Sequence, residues 1–200
     1  FYDAMNPADL EARIGPATKL VWLEAPGSVT MEFCDLPELV RVCRKKGVTC
    51  ALDNTWGAGL AFNPFDLAPG ASLGVDISVH ALTKYPSGGG DVLMGSVVTR
   101  DEALHQRLKL THMRVGWGVA GNDAELVLRG LNSMVLRYHA QDATTRELVT
   151  WMQEQPGVAK VFHPALPGSP GHPNWVRDAS AAACLFSVVF DPAIAAEKID

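Results

Sequence analysis

Three short apolar runs, separated by loops and one helical segment, most strongly limit the folds that this chain can adopt. The runs are Lys19 to Glu24, Val48 to Asp53 and Asp76 to Leu82. Between the first two, Leu36 to Lys46 has apolar residues at helical spacing, and Gly47 supplies a stop signal. Strand, helix and strand in this order predict an α/β layer architecture, with a sheet that is covered on both faces.

The rest of the chain divides into two regions. A fourth apolar run, Asp91 to Thr99, precedes two segments of helical pattern, Asp101 to Leu110 and Asn122 to about Glu154. We predict that the second helix is a connector, so that residues 1–155 belong to one large domain. Beyond it the chain is rich in proline and glycine and then contains the strand-like "CLFSVVF". Residues 156–200 are predicted to begin a smaller, incomplete domain, since a core of about 45 residues rarely stands alone.

Charge and hydropathy argue against several classes of function. The chain has 17 Lys and Arg against 22 Asp and Glu, a net charge of -5, which provides no basic surface for nucleic acid. No apolar stretch is long enough to cross a bilayer. The four cysteines form no CxxC pair and the six histidines no HxxxH pair, so we expect no metal site. Reduced thiols indicate the cytoplasm, and the start at Phe1, without a targeting segment, suggests a fragment.

Two ionisable residues come at the carboxyl ends of predicted strands. Asp53 closes "VTCALD", and Lys84 comes just past "DISVHAL". In open α/β sheets the ligand crevice lies at this edge, although each residue taken singly is more often a turn or loop residue. A phosphate-binding P-loop is not indicated, because its lysine follows the glycines, whereas Lys84 precedes Gly88 to Gly90.

A lysine in this position can form a Schiff base with a carbonyl group, which requires its neutral amine. Pyridoxal phosphate needs such a lysine, a carboxylate for its ring nitrogen, donors for its phosphate and a close approach of backbone. Lys84, Asp53, the Thr83 hydroxyl and the small residues around Gly88 to Gly90 match these four needs.

Several segments resemble the Cys/Met-metabolism family of pyridoxal phosphate enzymes. They are "LDNTWGAG" from Leu52 and "DISVHALTKYPSGGGDVLMG" from Asp76. "WLEAPGSVTMEFCDLP" from Trp22 and "HPALPGSPGHPNWVRD" from His163 are similar to the cystathionine β-lyases of that family, so the resemblance covers nearly the whole chain. It implies a three-layer, mostly parallel fold type I (aspartate aminotransferase-like) large domain, followed by the start of an α+β C-terminal domain.

The resemblance also implies roles for five residues. Lys84 would hold the cofactor and move protons at the substrate carbons, and Asp53 would keep the ring nitrogen protonated. Thr55 would pack against a face of the ring, Thr83 would hydrogen-bond the phosphate, and Ser28 would lie near the phenolic oxygen.

Ser28 and Trp56 favour the β-lyases over their relatives. The implied reaction is β-elimination of cystathionine, or of other cysteine S-conjugates, to homocysteine or another thiol, pyruvate and ammonia. The alternatives are a cystathionine γ-lyase or γ-synthase, a methionine γ-lyase, and an inactive structural fragment without half of the active site. Gly89 and Gly90 depart from the family, which commonly has "GHSD" where this chain has "GGGD".

The family also implies features that lie beyond these residues. The full-length parent is expected to be a cytoplasmic homotetramer, a dimer of dimers, that acts on a small amino-acid substrate. The arginine that clamps the substrate carboxylate and the N-terminal cofactor contacts would lie outside this sequence. We therefore expect the 200 residues alone to be poorly active.

Overall fold

A computed structural model describes residues 1–193 of the chain. Its main sheet has the order β1-β2-β3-β4. The strands are β1 (Leu20–Glu24), β2 (Thr49–Asp53), β3 (Ile77–Ala81) and β4 (Gly95–Val98). β1, β2 and β3 run parallel, and β4 pairs with β3 in the antiparallel direction. The mostly parallel sheet that the sequence predicts is confirmed.

Helix α2 packs against the main sheet, α4 contributes Met134 and Tyr138 to the same core, and a second, smaller sheet follows. The helices of the described residues are α1 (Pro7–Arg13), α2 (Leu36–Lys46), α3 (Glu102–Val115), α4 (Gly121–Gln153) and α5 (His172–Asp178). β5 (Val158–Phe162) and β6 (Ser187–Phe190) form an antiparallel pair. Between residues 1 and 193, no helix combines the length and the hydropathy that a membrane span requires.

The α2 helix shows how local sequence sets its limits. Asp35 is the N-cap and its side chain accepts a hydrogen bond from the Glu38 amide, while Gly47 ends the helix in the left-handed conformation with φ of 64°. Leu36, Leu39, Val40 and Cys43 are among its fully buried residues and belong to the main core. The predicted bounds of this helix are therefore confirmed.

Other elements differ from the sequence predictions. The run Asp91 to Thr99 contributes a shorter strand, Gly95–Val98, and α3 continues past Leu110 to Val115. The helices α1 and α5 were not predicted. Each has 7 residues and buries a single side chain, Leu10 or Trp175. About two turns of helix give too few apolar positions for a periodic pattern.

The main core joins the sheet to the segment before β6. Leu23 and Leu52 of the strands are fully buried with Phe33, and Ala181 to Ala183 belong to the same cluster. A smaller cluster, formed by Val149, Val161 and Leu166, connects α4 with β5. The segment after residue 156 thus contributes to both clusters, and the domain boundary there stays a prediction.

Gly171 lies where the C-terminal segment approaches the loop before α2. The Phe33 amide donates to the Pro170 carbonyl at 3.0 Å, and Asn174 Nδ2 donates to the Phe33 carbonyl at 3.1 Å. Gly171 has φ of 77°, and a Cβ added there would lie 1.9 Å from the Phe33 carbonyl oxygen. Only glycine fits this approach.

We expect Gly171→Ala to lower the free energy of unfolding by about 2 kcal/mol more than Gly168→Ala does. Gly168 is a matched control, because it also has a left-handed φ of 87° but no atom within 4 Å of an added Cβ. Urea unfolding followed by tryptophan fluorescence measures the difference. Equal losses for the two variants would contradict the close approach at Phe33.

Candidate active site

The carboxyl ends of β1, β2 and β3 form one edge of the main sheet. Asp53 is the last residue of β2, and its register partners are Glu24 of β1 and Val79 of β3. The Thr55 amide donates to Asp53 Oδ1 at 3.0 Å, which fixes one oxygen of the half-buried carboxylate. The strand end therefore presents a carboxylate at the edge where ligands bind in open α/β sheets.

Thr55 connects the loop after β2 to the end of β3. Its hydroxyl oxygen accepts a hydrogen bond from the Ala81 amide at 2.8 Å. The Asn54 amide donates to the Val79 carbonyl at 2.8 Å. These two bonds extend the contact between β2 and β3 past the last paired residues, and they bring Thr55 close to the start of the Lys84 loop.

Lys84 lies in a hydrogen-bonded turn directly after β3. The Lys84 amide donates to the Ala81 carbonyl at 3.2 Å, and the Gly88 amide donates to the Lys84 carbonyl at 2.9 Å. Ser87 Oγ donates to the Thr83 carbonyl at 2.8 Å, which closes the same turn. The Lys84 side chain is exposed. A fixed backbone thus carries an accessible amine.

Thr83 differs from the other predicted site residues. Its hydroxyl oxygen accepts a hydrogen bond from the Met94 amide at 3.4 Å. This contact ties the Lys84 turn to the residue before β4. Thr83 is half-buried and does not belong to the cavity wall formed by the described residues.

A cavity of about 390 Å³ opens at this edge of the sheet. Four predicted residues lie in its wall, namely Ser28, Asp53, Thr55 and Lys84. The remaining wall residues are Glu24, Pro26, Trp56, Ala81, Tyr85, Gly88, Arg137, Gln141, Cys184 and Leu185. The volume falls in the range of small-molecule sites, so tertiary folding brings the predicted carboxylate and amine into one ligand-sized space.

The sequence analysis did not predict the cavity-wall residues that come from distant segments of the chain. Arg137 and Gln141 lie one turn apart on α4, and Cys184 belongs to the segment before β6. The Tyr85 hydroxyl lies 3.2 Å from Cys184 Sγ and accepts a hydrogen bond from the Cys184 amide at 3.2 Å. No local pattern connects these residues to Lys84, since they are distant in the sequence and meet only in the fold.

The cavity wall carries charges of both signs. Its acids are Glu24 and Asp53, and its bases are Lys84 and Arg137. Partial burial and then the nearby Asp53 carboxylate raise the pKa of Glu24 above its usual value. Burial, together with the side-chain contact with Cys184, raises the pKa of Tyr85 above its usual value.

His80 of β3 lies close to the same charges. Burial lowers its pKa, and the Asp53 carboxylate opposes that change. His80 Nε2 is 3.2 Å from the Ser78 hydroxyl. Burial therefore favours the neutral form of this ring beside Asp53.

The groups that line the cavity fit pyridoxal phosphate. An exposed lysine amine can attack the aldehyde, and a carboxylate on the neighbouring strand can pair with the protonated ring nitrogen. Gly88 places bare backbone at the cavity wall beside the Arg137 guanidinium. The described residues thus provide an amine that can act as the nucleophile and a carboxylate that can pair with the ring nitrogen. The Gly88 backbone and the Arg137 guanidinium form a positively charged part of the cavity wall.

Comparison with known proteins agrees with this geometry. The family described as Cys/Met metabolism PLP-dependent enzyme matches residues 1–199. A cystathionine beta-lyase of Bordetella avium is 39% identical over 188 residues, 94% of this chain and 46% of the relative. A cystathionine beta-lyase of Escherichia coli is 34% identical over 201 residues, covering 100% of this chain and 49% of the relative.

The fold comparison identifies similar solved structures. The crystal structure of a cystathionine gamma-lyase from Lactobacillus plantarum, complexed with L-serine, superposes with a TM-score of 0.89 at 26% identity. The match covers 96% of this chain and 49% of that one. The chain therefore spans about half the length of the relatives that it matches. The likeness confirms the fold type I large-domain architecture that the sequence implied.

Proposed function

The chain belongs to the family of Cys/Met metabolism PLP-dependent enzymes, and from this we propose that the native protein is a carbon–sulfur lyase. Its proposed reaction is β-elimination of cystathionine, or of other cysteine S-conjugates, to homocysteine or another thiol, pyruvate and ammonia. The observation that carries the proposal is the single cavity that holds both Asp53 and Lys84 at the carboxyl edge of the sheet. The names of the curated relatives support the β-lyase assignment.

The cofactor, when bound, supplies an electron-withdrawing ring that stabilises the negative charge left on the substrate carbon after the proton is lost. Lys84 is proposed to bind the cofactor through its amine and then to remove the α-proton. The same amine can return a proton to the departing sulfur, because one exposed and flexible side chain serves both positions. The hydrogen-bonded turn around Lys84 keeps the origin of this side chain fixed.

Three other residues have proposed binding roles. Asp53 is proposed to hold the proton on the ring nitrogen, and its Oδ1 is already oriented by the Thr55 amide. Thr55 and Ser28 lie in the cavity wall, where they can contact the ring face and the phenolic oxygen. The phosphate contact of Thr83 rests on the family resemblance alone, because Thr83 does not belong to the cavity wall of the described residues.

A γ-elimination of the same class of substrate is the second candidate. The observation that favours it is the similarity to a solved structure that is named a cystathionine gamma-lyase. Both reactions begin with loss of the α-proton, so Lys84 and Asp53 serve either of them. The choice between them depends on how the substrate lies against the cavity wall.

The products of cystathionine cleavage distinguish these candidates. We expect the native protein, supplied with pyridoxal phosphate, to release pyruvate and homocysteine in equal amounts. Mass spectrometry of the reaction mixture measures both, with cofactor-stripped protein as the control. Release of 2-oxobutyrate and cysteine would overturn the β-lyase assignment. Absence of any keto acid from cystathionine and from cystine would overturn the lyase proposal itself.

The amino-acid substrate and the tetrameric assembly of the full-length protein remain proposals as well. Sedimentation velocity of the native protein tests the assembly, and a monomer would contradict it. The low activity proposed for the 200-residue chain alone is tested by the same product assay. Turnover by the short chain that equals that of the native protein would show that these residues suffice.

A further inference from the structure

One turn of the long helix α4 contacts the loop that carries Lys84 and the loop that follows Asp53. We propose that Arg137 on this turn is a positioning residue that sets the place of Lys84. The inference rests on the proposed function, because it assigns Lys84 the central role there. Its experimental test is nevertheless partly independent of the cofactor and of turnover.

Arg137 is hydrogen-bonded to the backbone directly after the lysine. Its Nη2 donates to the Tyr85 carbonyl at 2.9 Å and to the Gly130 carbonyl at 2.9 Å. Its Nε donates to Ser133 Oγ at 3.0 Å. Two contacts within α4 thus orient the guanidinium, and the third holds the peptide group that follows Tyr85. The Lys84 turn is therefore anchored to the helix.

Two glycines allow this contact. A Cβ added to Gly88 would lie 2.5 Å from Arg137 Cζ, so the guanidinium lies against bare backbone. A Cβ added to Gly130 of α4 would lie 2.2 Å from the Pro86 carbonyl oxygen. At Gly130 the helix and the loop therefore approach more closely than any larger residue would permit, whereas a larger residue at Gly88 would displace the Arg137 guanidinium. This close approach gives Gly88 of the glycine run a specific role beside Arg137.

The next residue of the helix holds the other loop. The hydroxyl of the fully buried Tyr138 donates to the Trp56 carbonyl at 3.2 Å. The Tyr138 ring also packs edge-on against the Tyr85 ring, with 4.9 Å between the ring centroids. The loop after Asp53 and the loop of Lys84 are thus attached to one rigid element.

We expect these contacts to affect catalysis, because they set the distance between the loop that carries Lys84 and the loop that follows Asp53. The strand β3 fixes where the Lys84 turn begins, but the turn itself leaves the sheet after Ala81. Through their contacts with the Tyr85 and Trp56 carbonyls, Arg137 and Tyr138 set how far the backbone of the Lys84 turn lies from the loop after Asp53. A displacement of about 1 Å at a reacting group can lower the rate by about 100-fold, so the anchoring contact is expected to affect the chemical step.

Hydrogen exchange of the cofactor-free native protein tests the anchor itself. We expect Arg137→Gln to raise exchange in the peptide covering residues 83–91 by about tenfold, because the loop loses a charge-assisted hydrogen bond. Exchange in β1 and α2 should stay unchanged. Arg129→Gln is the matched control, since Arg129 is on the same helix, is 73% exposed and pairs only with Glu125 among the described residues. Unchanged exchange at residues 83–91, or equal acceleration everywhere, would overturn the proposal.

The cofactor-loaded protein provides the second readout. In Arg137→Gln we expect the pH midpoint of the visible absorption band to shift and kcat to fall by about 10- to 100-fold, with KM changed by less than about threefold. A wild-type midpoint together with a wild-type kcat would overturn the positioning role. If Arg137→Gln does not fold, Arg137→Lys replaces it, because its ammonium group keeps the positive charge but lacks the planar fork that makes the Tyr85, Ser133 and Gly130 contacts together. We expect intermediate values for that variant, and wild-type values would overturn the proposal.

The two proposals fail in different ways. A protein that never binds pyridoxal phosphate would overturn the proposed function, while faster exchange at residues 83–91 in Arg137→Gln would still show the anchor. A protein that turns over cystathionine but is indifferent to Arg137→Gln in both readouts would retain the function and lose the positioning role.

Discussion

Replacement of Lys84 by alanine is expected to abolish covalent attachment of pyridoxal phosphate and to lower kcat/KM by at least about 1000-fold. The cavity wall of the described residues contains one lysine, so no second amine there can take over its chemistry. Lys84 is exposed, and its side chain makes no hydrogen bond within the described chain. Its loss therefore removes the reactive group without removing a structural contact.

Borohydride reduction followed by peptide mass spectrometry measures the attachment, and pyruvate release measures turnover. Lys109→Ala is the matched control, because Lys109 is exposed on α3 and lies outside the cavity. We expect the label on the peptide containing Lys84 in the wild type and in the control. Labelling of another lysine in the wild type, or normal turnover in Lys84→Ala, would refute the assigned role.

The second large effect is expected for Asp53→Asn. The amide oxygen can still accept the hydrogen bond from the Thr55 amide, so the loop keeps its 3.0 Å contact. The neutral side chain cannot stabilise a protonated ring nitrogen by charge, and electron withdrawal by the ring weakens. We therefore expect kcat/KM to fall by about 100-fold or more, while the melting temperature stays within a few degrees.

Steady-state assays and thermal unfolding of the same preparations measure the two effects. Asp66→Asn provides the control, since Asp66 is exposed in a loop and does not line the cavity. Similar kcat/KM values for Asp53→Asn and Asp66→Asn would exclude the proposed pairing with the ring nitrogen. A large fall in melting temperature for Asp53→Asn would instead assign the residue a structural role.

Much of the fold was predictable from local patterns. The runs around Leu23 and Leu52 became parallel strands, as their apolar residues predict, and the interior of β2 is buried on both faces. The predicted cover on both faces is wrong at β1, where Leu20 and Trp22 are exposed and burial alternates along the strand. Asp35 and Gly47 gave the limits of α2, since caps act within a turn of the helix end. Short elements such as α1 and α5 were missed, because their stability comes from a single buried residue each.

The residues of the candidate site that could be predicted are those at or just after the ends of strands. Asp53 and Lys84 could be assigned to the same edge, because the carboxyl ends of parallel strands lie together. The structure places both in one cavity, and Ser28 and Thr55 with them. The phosphate contact of Thr83 stays a prediction: its hydroxyl accepts a hydrogen bond from the Met94 amide at 3.4 Å, and the residue lies outside the cavity wall of the described residues.

The sequence by itself determined the main parallel strands, the limits of α2, the place of Asp53 and Lys84 at one edge of the sheet, and the family. These follow from side-chain periodicity, caps and motif spacing, which act over a few residues. Only the tertiary structure decided that Arg137 and Tyr138 of α4 hold the two loops and that Cys184 closes the wall. The physical reason is that such contacts depend on how whole elements pack, and on close approaches at Gly88 and Gly130 that no local pattern encodes.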